Sequence, residues 1–315
     1  MTQDYHHIPV LLEEVLELLD PQPAQQFVDA TLGGGGYTEA LLARTAPSGR
    51  VLALDLDHDA LAHAKQTLSG SAQDRLVLVH SNFSQIGHVA HSHDFGPVQG
   101  IVADIGLSSY ELDQSGRGIS FQRDEPLDMR FDQSSGKPTA AFLLAESTEA
   151  ELAHLFKHYS EERYAPLIAK QIVQQRAGEA ITRTPQLVEA ITKGVPARVR
   201  FRAQDSVRRI FQALRIAVNA ELENLEAFLP AALDILAPGG VLAVVTFHSL
   251  EDRIVKQFFK AATTGCICPK DFPICQCGQT PAAQSITKKP IIAGVGEQER
   301  NSRSLSAKLR AIRKI

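Results

Sequence analysis

Asp29-Ala30-Thr31-Leu32 runs directly into four consecutive glycines, Gly33 to Gly36, and a later apolar run, Val51 to Leu54, ends in Asp55. Four glycines in a row allow a backbone path that a Cβ would obstruct. Placed between a strand and a helix, such a bend lets a ligand approach the main chain, and an acid ending the next strand accepts hydrogen bonds from a ribose. The chemistry these residues suit is the binding of a nucleoside-containing cofactor.

The spacing narrows the choice of cofactor. A dinucleotide fingerprint has glycine at the first and third positions of the bend and a small residue at the sixth. Counted from Gly33 the sixth residue is Thr38, and counted from Gly34 it is Glu39. An acid near the helix start would repel a pyrophosphate. S-adenosylmethionine (SAM) fits better, because it carries a ribose and an adenine but no phosphate, and its sulfonium is positive. Asp29 is expected to face that cationic end.

Other residues fall where a ligand of a doubly wound sheet is expected, beyond the carboxyl ends of the strands. Phe83 follows the third apolar run and is placed to cover an adenine face. Asp104 ends the fourth run and is followed by Ile105-Gly106-Leu107-Ser108-Ser109. An acid there can accept a hydrogen bond from a target amine and turn its lone pair toward a methyl group. Alignment and fixed polar surroundings would lower the barrier without a covalent enzyme intermediate. Ser108 and Ser109 could donate to a base edge, or simply serve the turn. His248 ends the fifth run and is a site-lining candidate, although a lone histidine is more often structural.

The elements that must hold these residues alternate. Val10, Leu11, Val15, Leu18 and Leu19 have helical spacing within Pro9–Leu19. Strand-like runs follow at Phe27–Thr31, Val51–Asp55, Leu76–His80 and Gly100–Asp104, with helix-like segments at Tyr37–Arg44 and Asp59–Leu68 between them. Alternation of this kind argues for a parallel sheet covered by helices on both faces. After Asp104 the pattern changes, and Thr139 to Thr192 reads as helix only. The chain therefore divides into a discontinuous α/β core, 1–110 and 206–315, and a helical insertion, 111–205. One helix, Asp205–Leu236, is expected to lead back to the sheet strand Val241–Phe247, with Ser249 capping the next helix. Lys288–Ala293 and Ser302–Arg313 are expected to form a terminal strand pair.

With 315 residues, 44% of them hydrophobic, the chain can bury a large core. No apolar run is long enough for a membrane span, and no secretory leader pattern is present, which suggests a soluble, cytoplasmic protein. The net charge of −4 does not advertise nucleic acid, and the absence of Trp disfavours extended base stacking. Two local basic stretches run the other way: Arg198, Arg200, Arg202, Arg208, Arg209 and Arg215, and the C-terminal Arg300 to Lys314. They make an RNA backbone a reasonable partner. All four cysteines, Cys266, Cys268, Cys275 and Cys277, lie in one loop. Together they could hold a tetrahedral, structural Zn²⁺; a disulfide, or thiols with no role, remain the alternatives.

Longer strings carry a family resemblance. They include His7-Ile-Pro-Val-Leu-Leu-Glu-Glu, Asp29-Ala-Thr-Leu-Gly-Gly-Gly-Gly, Ala103-Asp-Ile-Gly-Leu-Ser-Ser, Gly116-Arg-Gly-Ile-Ser-Phe and Pro126-Leu-Asp-Met-Arg. Ser160-Glu-Glu-Arg, Arg209-Ile-Phe-Gln-Ala-Leu-Arg, Phe247-His-Ser-Leu-Glu-Asp-Arg and Asn301-Ser-Arg-Ser-Leu-Ser continue the series. In this order they resemble the RsmH (MraW) family, bacterial SAM-dependent methyltransferases that act on N4 of a cytidine in the decoding region of 16S ribosomal RNA. The resemblance implies a doubly wound, mostly parallel, seven-stranded class I methyltransferase (Rossmann-like) sheet with an inserted all-helical domain that handles the RNA. It implies direct methyl transfer to a flipped-out base. It places cofactor contacts at Gly35, Gly36, Tyr37, Asp55, Phe83, Asp104 and Glu111; the strand-end reading adds Gly33 to these and sets the reacting base near Asp104, Ser108, Ser109 and His248. The family commonly has histidine at the position of Tyr37 and Pro-Gln at Tyr110-Glu111. The implied partner is 16S rRNA within the small ribosomal subunit, with neither DNA nor membrane; a homodimer is compatible with the sequence.

Overall fold

The computed structural model describes residues 9–68, 74–107, 115–268 and 276–315. Within them the chain forms two compact units, one made of residues 1–106 and 222–315, the other of residues 107–221.

The first unit is built on a seven-stranded sheet. Its strands are β1 (Gln26–Asp29), β2 (Arg50–Asp55), β3 (Leu76–His80), β4 (Val98–Asp104), β5 (Leu236–Thr246), β6 (Ala283–Ser285) and β7 (Lys308–Lys314). They lie in the order β3-β2-β1-β4-β5-β7-β6. The first five pair in parallel, and β7 runs antiparallel to both β5 and β6. The central parallel strands are near-continuous apolar runs because both faces are covered. Val28, Leu52, Leu54, Ile101, Leu242 and Val244 pack with helices α4 (Ile86–Ser92), α10 (Glu221–Ile235, from Leu225 onward) and α11 (Ser249–Thr263). Their neighbours Phe27, Val51, Val102, Ala243 and Val245 point the other way, toward α1 (Leu12–Leu19) and α2 (Gly36–Arg44). This is the period-two alternation of strand side chains filled on both sides. Helix α3 (His58–Thr67) covers a smaller cluster with Leu32 and Ala53.

The second unit holds α5 (Ala140–Glu146), α6 (Glu149–Ser160), α7 (Ala165–Arg176), α8 (Thr184–Gly194) and α9 (Ala203–Asn219). Its core includes Leu144, Leu152, Phe156, Ile168, Leu187, Ile210 and Leu214. Thr148 and Glu151 cap α6 reciprocally, satisfying two of its orphan amides. Among the described residues the only extended pairing in this unit is an isolated bridge, Pro126 with Arg183.

The long helix expected over Asp205–Leu236 is two helices. Ala220 adopts a left-handed conformation, φ 53°, which ends α9. Just before it, the Asn219 amide donates to Met129 O (2.8 Å) and its Oδ1 accepts from Phe131 N–H (2.9 Å). A tertiary contact thus sets the break. The expected strand at Lys288–Ala293 is absent apart from a single bridge at Ile291, and Ser302–Ser306 is a 3-10 turn; β6 lies upstream, at Ala283–Ser285.

Candidate active site

The glycine bend follows β1 and opens α2. Gly33 and Gly35 have φ of +49° and +80°, the left-handed region that side chains disfavour. Gly36 is required for a different reason, since a Cβ there would lie 2.7 Å from the Pro9 ring. The expectation that the glycines make room for a ligand is therefore only part of the account, because the N-terminal segment occupies one side of the bend.

Asp55 ends β2 and ties it to that bend. Its Oδ2 accepts from Gly33 N–H and its Oδ1 from Asp57 N–H, both at 2.8 Å. Burial pushes its pKa up to about 6, against the lowering effect of these amides. Each oxygen keeps a lone pair for a further donor. Asp57 in turn caps α3 through Asp59 N–H.

Asp104 ends β4 beside Val245 of β5. Its backbone N–H donates to Thr31 Oγ1 (2.7 Å), which couples β4 to the turn after β1. Its carboxylate accepts only from Gly106 N–H (3.2 Å) among the described hydrogen bonds. Burial, with the nearby charges of Asp29 and Glu251, raises its pKa to about 7. Among the described residues neither Asp55 nor Asp104 forms an ion pair with Lys or Arg.

Asp29 does something other than the sequence suggested. It is fully buried; Oδ1 accepts from Thr31 N–H (3.2 Å) and Oδ2 from the Thr38 hydroxyl (2.7 Å). Burial raises its pKa to about 6. It locks the end of β1 to α2 and places its carboxyl close enough to Asp55 and Asp104 for their charges to interact. Tyr37 is likewise buried, with its hydroxyl donating to Val10 O. Burial raises its pKa well above the ordinary value, so the ring is a neutral anchor and only its main chain is left for a ligand.

Phe83 lies in a short 3-10 turn after β3, with its ring edge-on to Phe228 at 5.3 Å between centroids. His248, rather than Ser249, is the N-cap of α11. Its Nδ1 accepts from Glu251 N–H (3.4 Å), while Nε2 lies 2.7 Å from Glu251 Oε1. Glu251 Oε2 accepts from Phe247 N–H (2.8 Å) and His248 N–H (3.2 Å). His248 is thereby clamped to a buried acid that also acts on Asp104. Glu251 and Thr31 were not singled out from sequence. The acid three residues after a cap was the available signal for Glu251, whereas nothing local marks Thr31. Ser108, Ser109, Glu111 and Cys275 lie outside the described residues.

Strand order, the reversed β7 and acids at the ends of β1, β2 and β4 together define the class I methyltransferase architecture. The model of the MraW methylase family matches residues 4–315. Proteins named ribosomal RNA small subunit methyltransferase H are similar over nearly the whole length. Those of Heliobacterium modesticaldum and Carboxydothermus hydrogenoformans are 50% and 47% identical over 312 residues, with 99% of both chains covered in each case. That of Heliobacterium mobile is 48% identical over 313 residues, covering 99% of this chain and all of its own. The chain belongs to the MraW methylase family, a family of methyltransferases.

Proposed function

We propose that this protein uses SAM to methylate N4 of a cytidine in the decoding region of 16S rRNA. The reaction would take place in the cytoplasm, on RNA held within the small ribosomal subunit. The observation that carries the reading is the pair of strand-end carboxylates, Asp55 and Asp104, raised to about 6 and about 7 and left without a cationic partner among the described residues. A cationic ligand bearing a ribose supplies both missing interactions, a positive charge and hydroxyl donors.

SAM supplies an electrophilic methyl group. The chain supplies the alignment. Asp55 fixes the Gly33 amide and accepts from ribose hydroxyls through its remaining lone pairs. Gly35, Gly36 and Tyr37 present main chain, and Phe83, braced against Phe228, covers an adenine face. Asp104 accepts from the exocyclic amine and, with a pKa near neutrality, can hold the proton that the amine gives up. Glu251, held by the Phe247 and His248 amides, keeps a carboxyl group fixed on the β5 side of Asp104. Ser108 and Ser109 are assigned by sequence position as donors to the base edge, and Glu111 as a cofactor contact.

The helical unit supports an RNA substrate. Arg198, Arg200 and Arg202 lie on one 3-10 turn and are exposed. Phe201, between them, is 82% exposed. Among the described residues Arg198 and Arg200 take part in no ion pair. Guanidinium groups beside an exposed ring suit a phosphate backbone carrying an unstacked base. The other arginines of this stretch are engaged: Arg202 and Arg208 with Asp205 (3.4 and 3.7 Å), Arg209 with Glu162 (3.4 Å), and Arg215 in a two-pronged pair with Glu221. A base must leave its stack to reach a crevice of this kind. The cysteine cluster has no part in the transfer, and any metal it holds is structural.

Mass mapping of 16S rRNA from cells with and without the protein tests the proposal. The expected result is one N4-methylated cytidine that disappears without the protein. It should return with the wild-type chain and not with Asp104→Asn. A methylation map unchanged by removal of the protein would overturn the assignment, and a mark appearing only on DNA or on another RNA would replace it.

A further inference from the structure

Away from the strand ends, sulfur ligands gather in the excursion between α11 and β6. The Sγ atoms of Cys266, Cys268 and Cys277 all lie within 4.8 Å of one another. Cys266 Sγ and Cys277 Sγ are 3.8 Å apart. A covalent S–S bond is about 2.05 Å, so these atoms are not at bonding distance. Two thiolates on one tetrahedral zinc, each about 2.3 Å from the metal, lie about 3.8 Å from each other. The observed spacing, at which the Cys277 thiol can also donate to Cys266 Sγ, matches such a ligand edge.

The backbone is arranged for thiolates as well. Ile267 N–H donates to Cys277 Sγ (3.4 Å), and Gln276 N–H donates to Cys268 Sγ (3.3 Å). A neutral thiol accepts weakly, and negative charge on sulfur strengthens such bonds. Gly278, with φ +61°, turns the chain immediately after Cys277. The neck of the excursion is already closed, by Ala282 N–H donating to Ala262 O (2.8 Å) and the Gln279 amide donating to Thr264 O (3.3 Å).

We infer that Cys266, Cys268 and Cys277 form a structural Zn²⁺ site. Binding releases the thiol protons and leaves sulfur as thiolate. Sulfur ligands at tetrahedral spacing select zinc over magnesium or calcium, which take oxygen. One coordination position remains for a further ligand; Cys275, the fourth cysteine of the sequence, lies outside the described residues. The metal staples the excursion between the end of α11 and β6. It does not touch Asp55 or Asp104.

The test is metal analysis of the full-length protein purified under reducing conditions without chelator, followed by Co²⁺ substitution. One zinc per chain is expected, with a Co²⁺ spectrum showing thiolate charge transfer and tetrahedral bands. Cys268→Ser and Cys277→Ser should each lose the metal while methyl transfer is retained. Chelation of the wild-type protein should speed proteolysis within 264–282. Because the cobalt titration uses the wild-type chain, it stands even if a variant fails to fold. Reduced wild-type protein that retains no zinc and gives no thiolate–cobalt band would overturn the site. So would a Cys266–Cys277 disulfide mapped in protein taken directly from cells.

Discussion

Asp104 in the sheet unit and Asp128 in the helical unit are both partly withdrawn from water, yet their carboxyls shift in opposite directions. Burial raises Asp104, and the charges of Asp29 and Glu251 add to it. Burial also pushes Asp128 up, but Arg130 donates to both of its oxygens (2.6 and 2.9 Å) and the net shift is downward. Asp252 in the sheet unit behaves like Asp128, its burial outweighed by Arg310 and Lys308. Asp128 and Asp252 each have a cation supplied by the same chain, whereas Asp104 has none among the described residues and only one amide donor, so its carboxylate is available to a ligand and the fold bears the electrostatic cost. Asp29 also lacks a cation, but both of its oxygens already accept from Thr31 and Thr38.

That contrast can be broken by experiment, most strongly at Asp104. Asp104→Asn should lower kcat/KM for methyl transfer by roughly 10²–10⁴-fold, the usual weight of a positioned proton acceptor. The same change should stabilise the ligand-free protein at pH 8. The folded pKa of about 7 exceeds the unfolded value of 3.8, so the contribution to stability present at low pH is lost as pH rises through about 7. Thermal unfolding at pH 5 and pH 8 reads this directly: a variant less stable than wild type at both values would refute the electrostatic account. Arg215→Ala should do the opposite in the helical unit. It strands the nearly buried Glu221 carboxylate and should cost about 3 kcal/mol in denaturant unfolding.

A smaller effect is expected on cofactor binding. If the sulfonium favours ionised Asp55 and Asp104, SAM affinity should rise with pH from 5 to 8, by up to about tenfold per unit for one coupled group. Calorimetry in buffers of differing ionisation heat should then show proton release; a pH-independent Kd without it would remove these acids from the site. Smallest of all, Phe201→Ala should weaken RNA binding by about 1 kcal/mol, the low end of a base–aromatic stack, with SAM binding unchanged. Equal RNA affinity of variant and wild type would show that this ring stacks on no base.

The parallel half of the sheet was legible because each strand is its own apolar run. Leu76–His80 matches β3 in full, and Val51–Asp55 misses β2 by one residue. The strand-end rule then selected Asp55 and Asp104 without reference to any contact. What the sequence concealed depends on distant partners. Asp29 looks like a site acid until Thr38 is seen bonded to it. The Tyr37 side chain looks available to a ligand until its hydroxyl is found on Val10, which leaves the main chain for that role. Gly36 answers to Pro9, and the break at Ala220 to Asn219. Of the antiparallel edge, all but the last residue of β7 falls within the expected Ser302–Arg313, while its partner β6 was missed because Ala283-Gln284-Ser285 has no apolar pattern and owes its pairing to β7.

The position of β7 has a consequence for biosynthesis. It is the last of the described strands in chain order, yet it lies between β5 and β6. Until it emerges from the ribosome, β6 has no neighbour and one flank of β5, from Val241 to Thr246, presents bare peptide groups. An unpaired flank of that kind invites association with other chains. A nascent chain halted before Lys308 would therefore carry that flank of β5 uncovered.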